Sequence, residues 1–261
     1  MTEPDKPEPL VYRPMALPPR RRLGHRAALN WLTQGLGYLG RAKGVSIVYG
    51  GIFATIGMLI TWFGLSRPQF ILTFWSGFLL IGPLFAMGFY RVAQMLDRGE
   101  PIHLTASWQV LRSKLGTVAL FTLLLSLVMI AWIRFSTLAA ALYAGEVIGS
   151  SSFIATLGSP EGLGFLALLF GVGAIFAAAM FAVTAWSLPL VLDGRADFGV
   201  AIVASVKAVI EQPVPMLIWG ALVATMTIIG MLTLFIAFVV IFPWLGYATW
   251  AGYRDLFGTV D

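Results

Sequence analysis

Residues 214–253 form an almost unbroken apolar run, about twice as long as one membrane-crossing helix requires. As a single helix it would reach about 60 Å, so the chain must fold back within it, and Gly230 near its middle is the expected place. Four further apolar runs of near-span length precede it, at 45–63, 69–95, 116–133 and 163–192. Together they predict six transmembrane helices. Composition agrees: the chain is 59% hydrophobic and 11% charged, whereas soluble domains carry roughly 45–50% apolar and about 25% charged residues. The expected fold class is therefore all-α, a polytopic membrane protein.

Charge placement tests that count independently. With a cytoplasmic N-terminus, six spans put every Lys and Arg on the inside face except Arg67 and Arg134, a strong positive-inside bias. A five-span chain would leave Arg254 outside and carry a final helix far too long. Both termini are thus expected in the cytoplasm. Trp62, Trp75 and Trp132 fall at outer ends of spans and Trp186, Trp219 and Trp250 toward inner ends, as interfacial aromatic belts would have them.

Residues 1–23 are polar and Pro-rich and close on Arg20-Arg21-Arg22. Such a stretch cannot bury apolar area and reads as a disordered cytoplasmic tail, with 24–261 as the transmembrane domain. The following segment is amphipathic instead of a plain apolar signal core, so the tail is expected to remain uncleaved. The net charge of +5 sits at the membrane face. Arg20, Arg21, Arg22, Arg41, Lys43, Arg112 and Lys114 are therefore expected to contact lipid headgroups, with the bilayer as partner and not nucleic acid.

An amphipathic segment precedes each pair of spans. Leu29, Leu32, Leu36 and Leu39 form one stripe; Leu104, Trp108, Leu111 and Leu115 a second; Ile202, Val203, Val206 and Ile210 a third. Their spacing of three and four is helical. The chain reads as three hairpins at about 28–97, 102–193 and 197–255, each preceded by a cytoplasmic amphipathic helix. Each second span carries a proline (Pro83, Pro189, Pro243), and two units leave through acidic–glycine–basic turns at Asp97-Arg98-Gly99-Glu100 and Asp193-Gly194-Arg195. Units repeated in the same orientation are parallel repeats about an axis along the membrane normal.

Gly82-Pro83 with Gly88-Phe89-Tyr90, Arg98-Gly99-Glu100-Pro101, Leu190-Val191-Leu192-Asp193 and the ending from Phe242 to Leu256 carry a resemblance. They resemble the bacterial predicted integral membrane proteins grouped as domain of unknown function 2189. The most specific part is Gly246-Tyr247-Ala248-Thr249-Trp250-Ala251-Gly252-Tyr253-Arg254. Family members often have His where this chain has Tyr247, so no role of that imidazole carries over. The resemblance implies an inner-membrane protein, and the oxidase label given to some members implies a respiratory neighbourhood.

Chemistry is sparse. There is no Cys, and the two His, His25 and His103, fall in different loops, so no metal, haem or other cofactor is expected. The middle of each span lacks ionisable groups, which argues against a proton relay. Arg134 and Glu146 could form an interfacial bridge, and the run Ser150-Ser151-Ser152 has no accompanying base. No enzymatic activity is expected. The fourth span is rich in small residues, with Gly171, Gly173, Ala174, Ala177, Ala178 and Ala182 as a helix-packing or partner face. Two functions follow as expectations: an accessory or scaffold protein of a larger membrane complex, such as a respiratory oxidase, or a carrier or channel for a small uncharged solute or lipid.

Overall fold

In the computed structural model, residues 17–18, 20–65, 71–105, 109, 112–142 and 159–258 are described, and among them the structure is helical with no strand. The helices are α1 (Ala27–Arg41), α2 (Lys43–Leu65), α3 (Ile71–Leu80), α4 (Gly82–Asp97) and α5 (Leu115–Leu142). They continue with α6 (Pro160–Thr184), α7 (Ser187–Leu192), α8 (Phe198–Glu211), α9 (Pro213–Leu232) and α10 (Phe238–Phe257). Five segments are long and apolar enough to cross a membrane: Lys43–Leu65, Phe74–Asp97, Leu115–Ala139, Gly162–Leu192 and Pro213–Leu232.

The expected sixth span, α10, is not among them, because Arg254, Asp255 and the polar residues around them lower the hydropathy of its second half. It runs antiparallel to α2. Phe235, just before it, lies over Gly57; the Val239 carbonyl lies over Gly50; and the Tyr247 and Ser46 hydroxyls are 2.8 Å apart. Beyond Tyr247 it continues ten residues, about 15 Å, past the start of α2. That second half is where Trp250, Tyr253, Arg254 and Asp255 sit, and it is wrapped by other helices. Its polar half belongs to a layer at the end of the bundle that also holds residues 20–23.

That layer is the core of the molecule. Helix α1 crosses α10 where Gly35 meets Ala248, at a spacing that places a hypothetical Gly35 Cβ 2.9 Å from the Ala248 Cβ. Its buried face is Ala28, Trp31, Leu32, Gly35 and Tyr38, while Leu29 and Leu36 of the expected stripe are exposed. Helix α8 behaves alike: Ala201, Ala204, Ser205 and Ala208 pack inward, and Val203 and Ile210 face out. In lipid no hydrophobic force drives bulky side chains inward, and close packing of small faces holds helices together. Of the middle stripe, Leu104 and Leu115 are exposed, and Trp108 and Leu111 lie outside the described residues.

The tryptophans correct a second expectation. Trp186, Trp219 and Trp250 are fully or almost fully buried. Trp31 stands edge-on to Trp186 and Trp219 at centroid distances of 5.5 and 5.6 Å, an arrangement that favours the ring quadrupoles. They form a core, not a belt. Trp75 and Trp132 spend their indole N–H groups on Thr61 and Ser76, while Trp62 is exposed.

The fold-back also differs from expectation. Helix α9 continues through Gly230 to Leu232, and the chain turns at residues 233–237. Gly230 is instead a point of close approach, where a Cβ would stand 2.5 Å from the Phe238 ring. The turn uses Leu234 and Phe235 at φ 51° and 70°, with the Phe235 amide donating to the Gly230 carbonyl at 2.9 Å. Left-handed backbone costs an L-residue about 1–2 kcal/mol. Phe235 offsets this by seating a fully buried ring against Gly57, Trp75 and Phe78; the exposed Leu234 side chain has no such compensation. We expect Leu234→Gly to raise stability by about 0.5–1 kcal/mol after glycine's own entropy cost. Phe235→Gly is expected to lower it, both read as unfolding midpoints in one detergent.

Prolines mark breaks in two of the three returning segments. Pro83 opens α4 after the interruption at Ile81, and Pro189 lies in α7 after the break at Ala185-Trp186. Pro243 sits inside α10 without ending it. Backbone groups freed within a membrane need partners, and at the second break Ser205 supplies them, accepting from the Trp186 amide at 3.2 Å and donating to the Ala182 carbonyl at 2.7 Å.

Candidate functional site

Helices α4 and α7 end at the polar end of the bundle in the same way, and a glycine also closes α10. Gly99, Gly194 and Gly258 follow α4, α7 and α10 at φ 66°, 72° and 75°. After α4 the Glu100 amide donates to the Met95 carbonyl (2.9 Å), and after α7 the Arg195 amide donates to the Leu190 carbonyl (3.1 Å). This is the six-to-one bond of a Schellman end, which glycine permits without a Cβ clash. The two acidic–glycine–basic turns seen in the sequence are these ends.

They deliver two aspartates to α10. A carboxylate at a helix C-terminus opposes the helix dipole, so each needs donors. Asp97 accepts from the Tyr38 hydroxyl at 2.6 Å and the Trp250 indole at 2.9 Å, and pairs with Arg254 at 2.6 Å. Asp193 accepts from Gln94 at 2.9 Å and the Tyr253 hydroxyl at 2.6 Å. Gln94 in turn accepts from Arg91 at 2.7 Å, and Arg91 pairs with Glu100 at 3.2 Å. Arg254 also donates to the Tyr38 hydroxyl at 3.1 Å. Burial, reinforced by Asp97, pushes the Tyr38 hydroxyl up to about 12, so it stays a donor throughout the neutral range.

The residues singled out at the end of the sequence share one task. Gly246 admits Phe89, with a hypothetical Cβ 2.8 Å from that ring; Tyr247 meets Ser46; Ala248 meets Gly35; Thr249 is hydrogen-bonded to Tyr90. Trp250, Tyr253 and Arg254 hold the two aspartates, and Gly252 leaves room for Trp31 and Trp186. Each residue from Gly246 to Arg254 except Ala251 thus meets a named partner on another helix, and Ala251 is itself buried.

Residues 20–23 and the end of α10 close the layer. Arg20 grips Glu211 through Nε and Nη2 at 3.0 and 2.9 Å. The Arg21 amide donates to the Leu256 carbonyl at 2.7 Å. Gln212 accepts from the Leu23 amide at 2.7 Å and donates to the Arg21 carbonyl at 2.9 Å. Arg195 donates to the Phe257 and Gly258 carbonyls at 2.9 Å each. Sequence reasoning assigned Arg20 to lipid; the structure engages it with Glu211, a pairing 191 residues apart that no local signal announces.

The family comparison bears on the segment that ends at these aspartates. Residues 70–193 match the family model described as a predicted integral membrane protein, DUF2189. Both Asp97 and Asp193 fall within the matched segment, and their α10 partners fall outside it. No curated protein and no solved structure matches the chain.

Other predicted residues scatter. Arg21, Arg22, Lys43 and Arg112 are exposed, and Lys114 is half-exposed. Arg41 lies over the Tyr38 ring at 5.0 Å. His25 and His103 are exposed on separate segments. Arg134 is exposed near the far end of α5, and Glu146 and Ser150-Ser151-Ser152 lie outside the described residues. The small-residue face of α6 is divided. Gly173 lies under Trp132, where a Cβ would stand 3.1 Å from the ring, and Ala182 is half-buried. Gly171, Ala174, Ala177 and Ala178 are exposed. Where α3, α5 and α6 meet, Ser76, Met129, Trp132 and Ala177 line an apolar cavity of about 290 Å³.

Proposed function

We propose that this multi-pass membrane protein is a non-catalytic accessory or scaffold subunit of a larger bacterial inner-membrane complex, a respiratory oxidase being the first candidate. One observation carries the reading. Only 11% of the most apolar window of Leu115–Ala139 and 6% of that of Gly162–Leu192 is buried, against 50% for Phe74–Asp97. Helices α5 and α6 pack on each other, α5 also on α3 and α6 also on α8, and they offer Gly171, Ala174, Ala177 and Ala178 outward, where another backbone can approach closely. The opposite side of the molecule is a dense aromatic and polar core whose carboxylates are occupied by donors, a holding arrangement with no reacting group in it.

In this reading α10 makes a sixth crossing, the two termini lie in the cytoplasm, and the three glycine-closed exits are the mark of three hairpin units. Helices α1 and α8 ride at the cytoplasmic interface. Affinity purification of the full chain from its native membrane in mild detergent, with a visible absorption spectrum and mass spectrometry, tests the reading. We expect stoichiometric membrane subunits in the eluate, with a haem spectrum if the complex is an oxidase. A colourless protein eluting alone overturns it.

A second reading, a carrier for a small uncharged solute or lipid, is favoured by one feature. A cleft of about 210 Å³ between α4, α6, α9 and α10 brings Tyr90, Thr184, Thr227 and Thr249 to an otherwise apolar wall. Solute flux in proteoliposomes would raise this reading above the first.

A further inference from the structure

Most arginines at the polar end are committed: Arg20 to Glu211, Arg91 to Glu100, Arg98 to Glu100 and Asp193, Arg254 to Asp97, and Arg195 to two carbonyls. Arg22, His25 and Arg26 are different. Among the described residues none of their side chains has a hydrogen bond or ion pair. All three are exposed, and they line one hollow of about 320 Å³ together with Asn30 and Asp255. Asp255 is the hollow's carboxylate, and its Oδ2 already accepts from the Trp31 indole at 2.9 Å. Two permanent guanidinium charges, an imidazole and a side-chain amide therefore face one partly satisfied acid.

The surroundings select the occupant. Leu29 and Leu36 stand 52% and 47% exposed on α1, Leu29 about one helical turn beyond Arg26, a row suited to hydrocarbon. We propose that this hollow binds the headgroup of an anionic phospholipid, with Arg22 and Arg26 gripping the phosphate, His25 and Asn30 donating to its oxygens, and an acyl chain lying along Leu29 and Leu36. Guanidinium groups suit phosphate through paired N–H donors, and membrane-surface cations attract anionic lipid. The site is independent of the accessory-subunit reading and is tested on the purified chain.

The full-length protein in mild detergent is titrated with phosphatidylglycerol, phosphatidylcholine and inorganic phosphate. Binding is read by native mass spectrometry and by the shift in melting temperature. Phosphatidylglycerol is expected to bind at least about tenfold more tightly than phosphatidylcholine. The R22Q/H25Q/R26Q variant is expected to lose about tenfold or more of that affinity, and K207Q, exposed on α8 outside the hollow, to stay within about twofold. If the triple variant melts lower without lipid, R26Q alone decides, with an expected loss of about fivefold. Equal losses in the hollow and control variants, or equal binding of the two lipids, overturn the site. Full displacement of phosphatidylglycerol by millimolar inorganic phosphate overturns the lipid as its occupant.

Discussion

Asp97→Ala is expected to lower the unfolding free energy in mild detergent by about 2–4 kcal/mol. Removing one partner of a buried ion pair costs about 3–5 kcal/mol; the side chains of Asp97 and Arg254 are 19% and 34% exposed, and solvent reduces the penalty. The substitution also strips an acceptor from Tyr38 and Trp250. Asp97→Asn keeps an acceptor oxygen and loses the charge, so its cost should fall between wild type and alanine. Denaturant titration of the three proteins measures both differences. A loss for alanine below about 1 kcal/mol would show that water, and not Asp97, satisfies Arg254.

The second large effect lies in the seam between α2 and α10. A Cβ at Gly50 would stand 2.2 Å from the Val239 carbonyl oxygen and 2.9 Å from its carbon. The obstacle is backbone, so the helices themselves must separate. Overpacking costs typically about 1–3 kcal/mol even where side chains can yield. Gly50→Leu, with three more carbons in the seam, should prevent assembly: little protein recovered in detergent, eluting as aggregate. Gly51 supplies the internal control, because nothing lies within 4 Å of its hypothetical Cβ. Gly51→Leu should accumulate as wild type does, with helix propensity favouring it by up to about 1 kcal/mol.

Much of the architecture was legible because bilayer thickness turns apolar length into helix count. Five spans lie within a few residues of the expected runs, as with Lys43–Leu65 against 45–63. The acidic–glycine–basic turns were readable too, since a helix end needs glycine wherever backbone turns left-handed. The stripes on α1 and α8 were legible as amphipathic faces, but the faces that pack inward were not: Trp31, Gly35 and Tyr38 on α1 and Ala201 and Ala204 on α8 follow no pattern that the bulky aliphatic spacing announces. Gly230 was a true signal with the wrong meaning, a site of close approach instead of a turn. The turn that exists, at Leu234 and Phe235, uses residues that carry no turn signature.

The polar layer was unreadable for a different reason. Asp97 and Trp250 are 153 residues apart, and Asp193 and Tyr253 are 60 apart. Nothing in either neighbourhood names its partner. The closing motif could be recognised as unusual, but only the fold assigns Trp250, Tyr253 and Arg254 to two different helix ends.

Those separations also set an order of events during synthesis. Both aspartates leave the ribosome well before α10, with Tyr38 already made for Asp97 and Gln94 for Asp193 but the Trp250, Tyr253 and Arg254 donors still to come. When α10 arrives, a single helix joins α4, α7 and α1 at once through Trp250, Tyr253 and Arg254. A chain interrupted before α10 is therefore a set of helices without the one element that ties α1, α4 and α7 together.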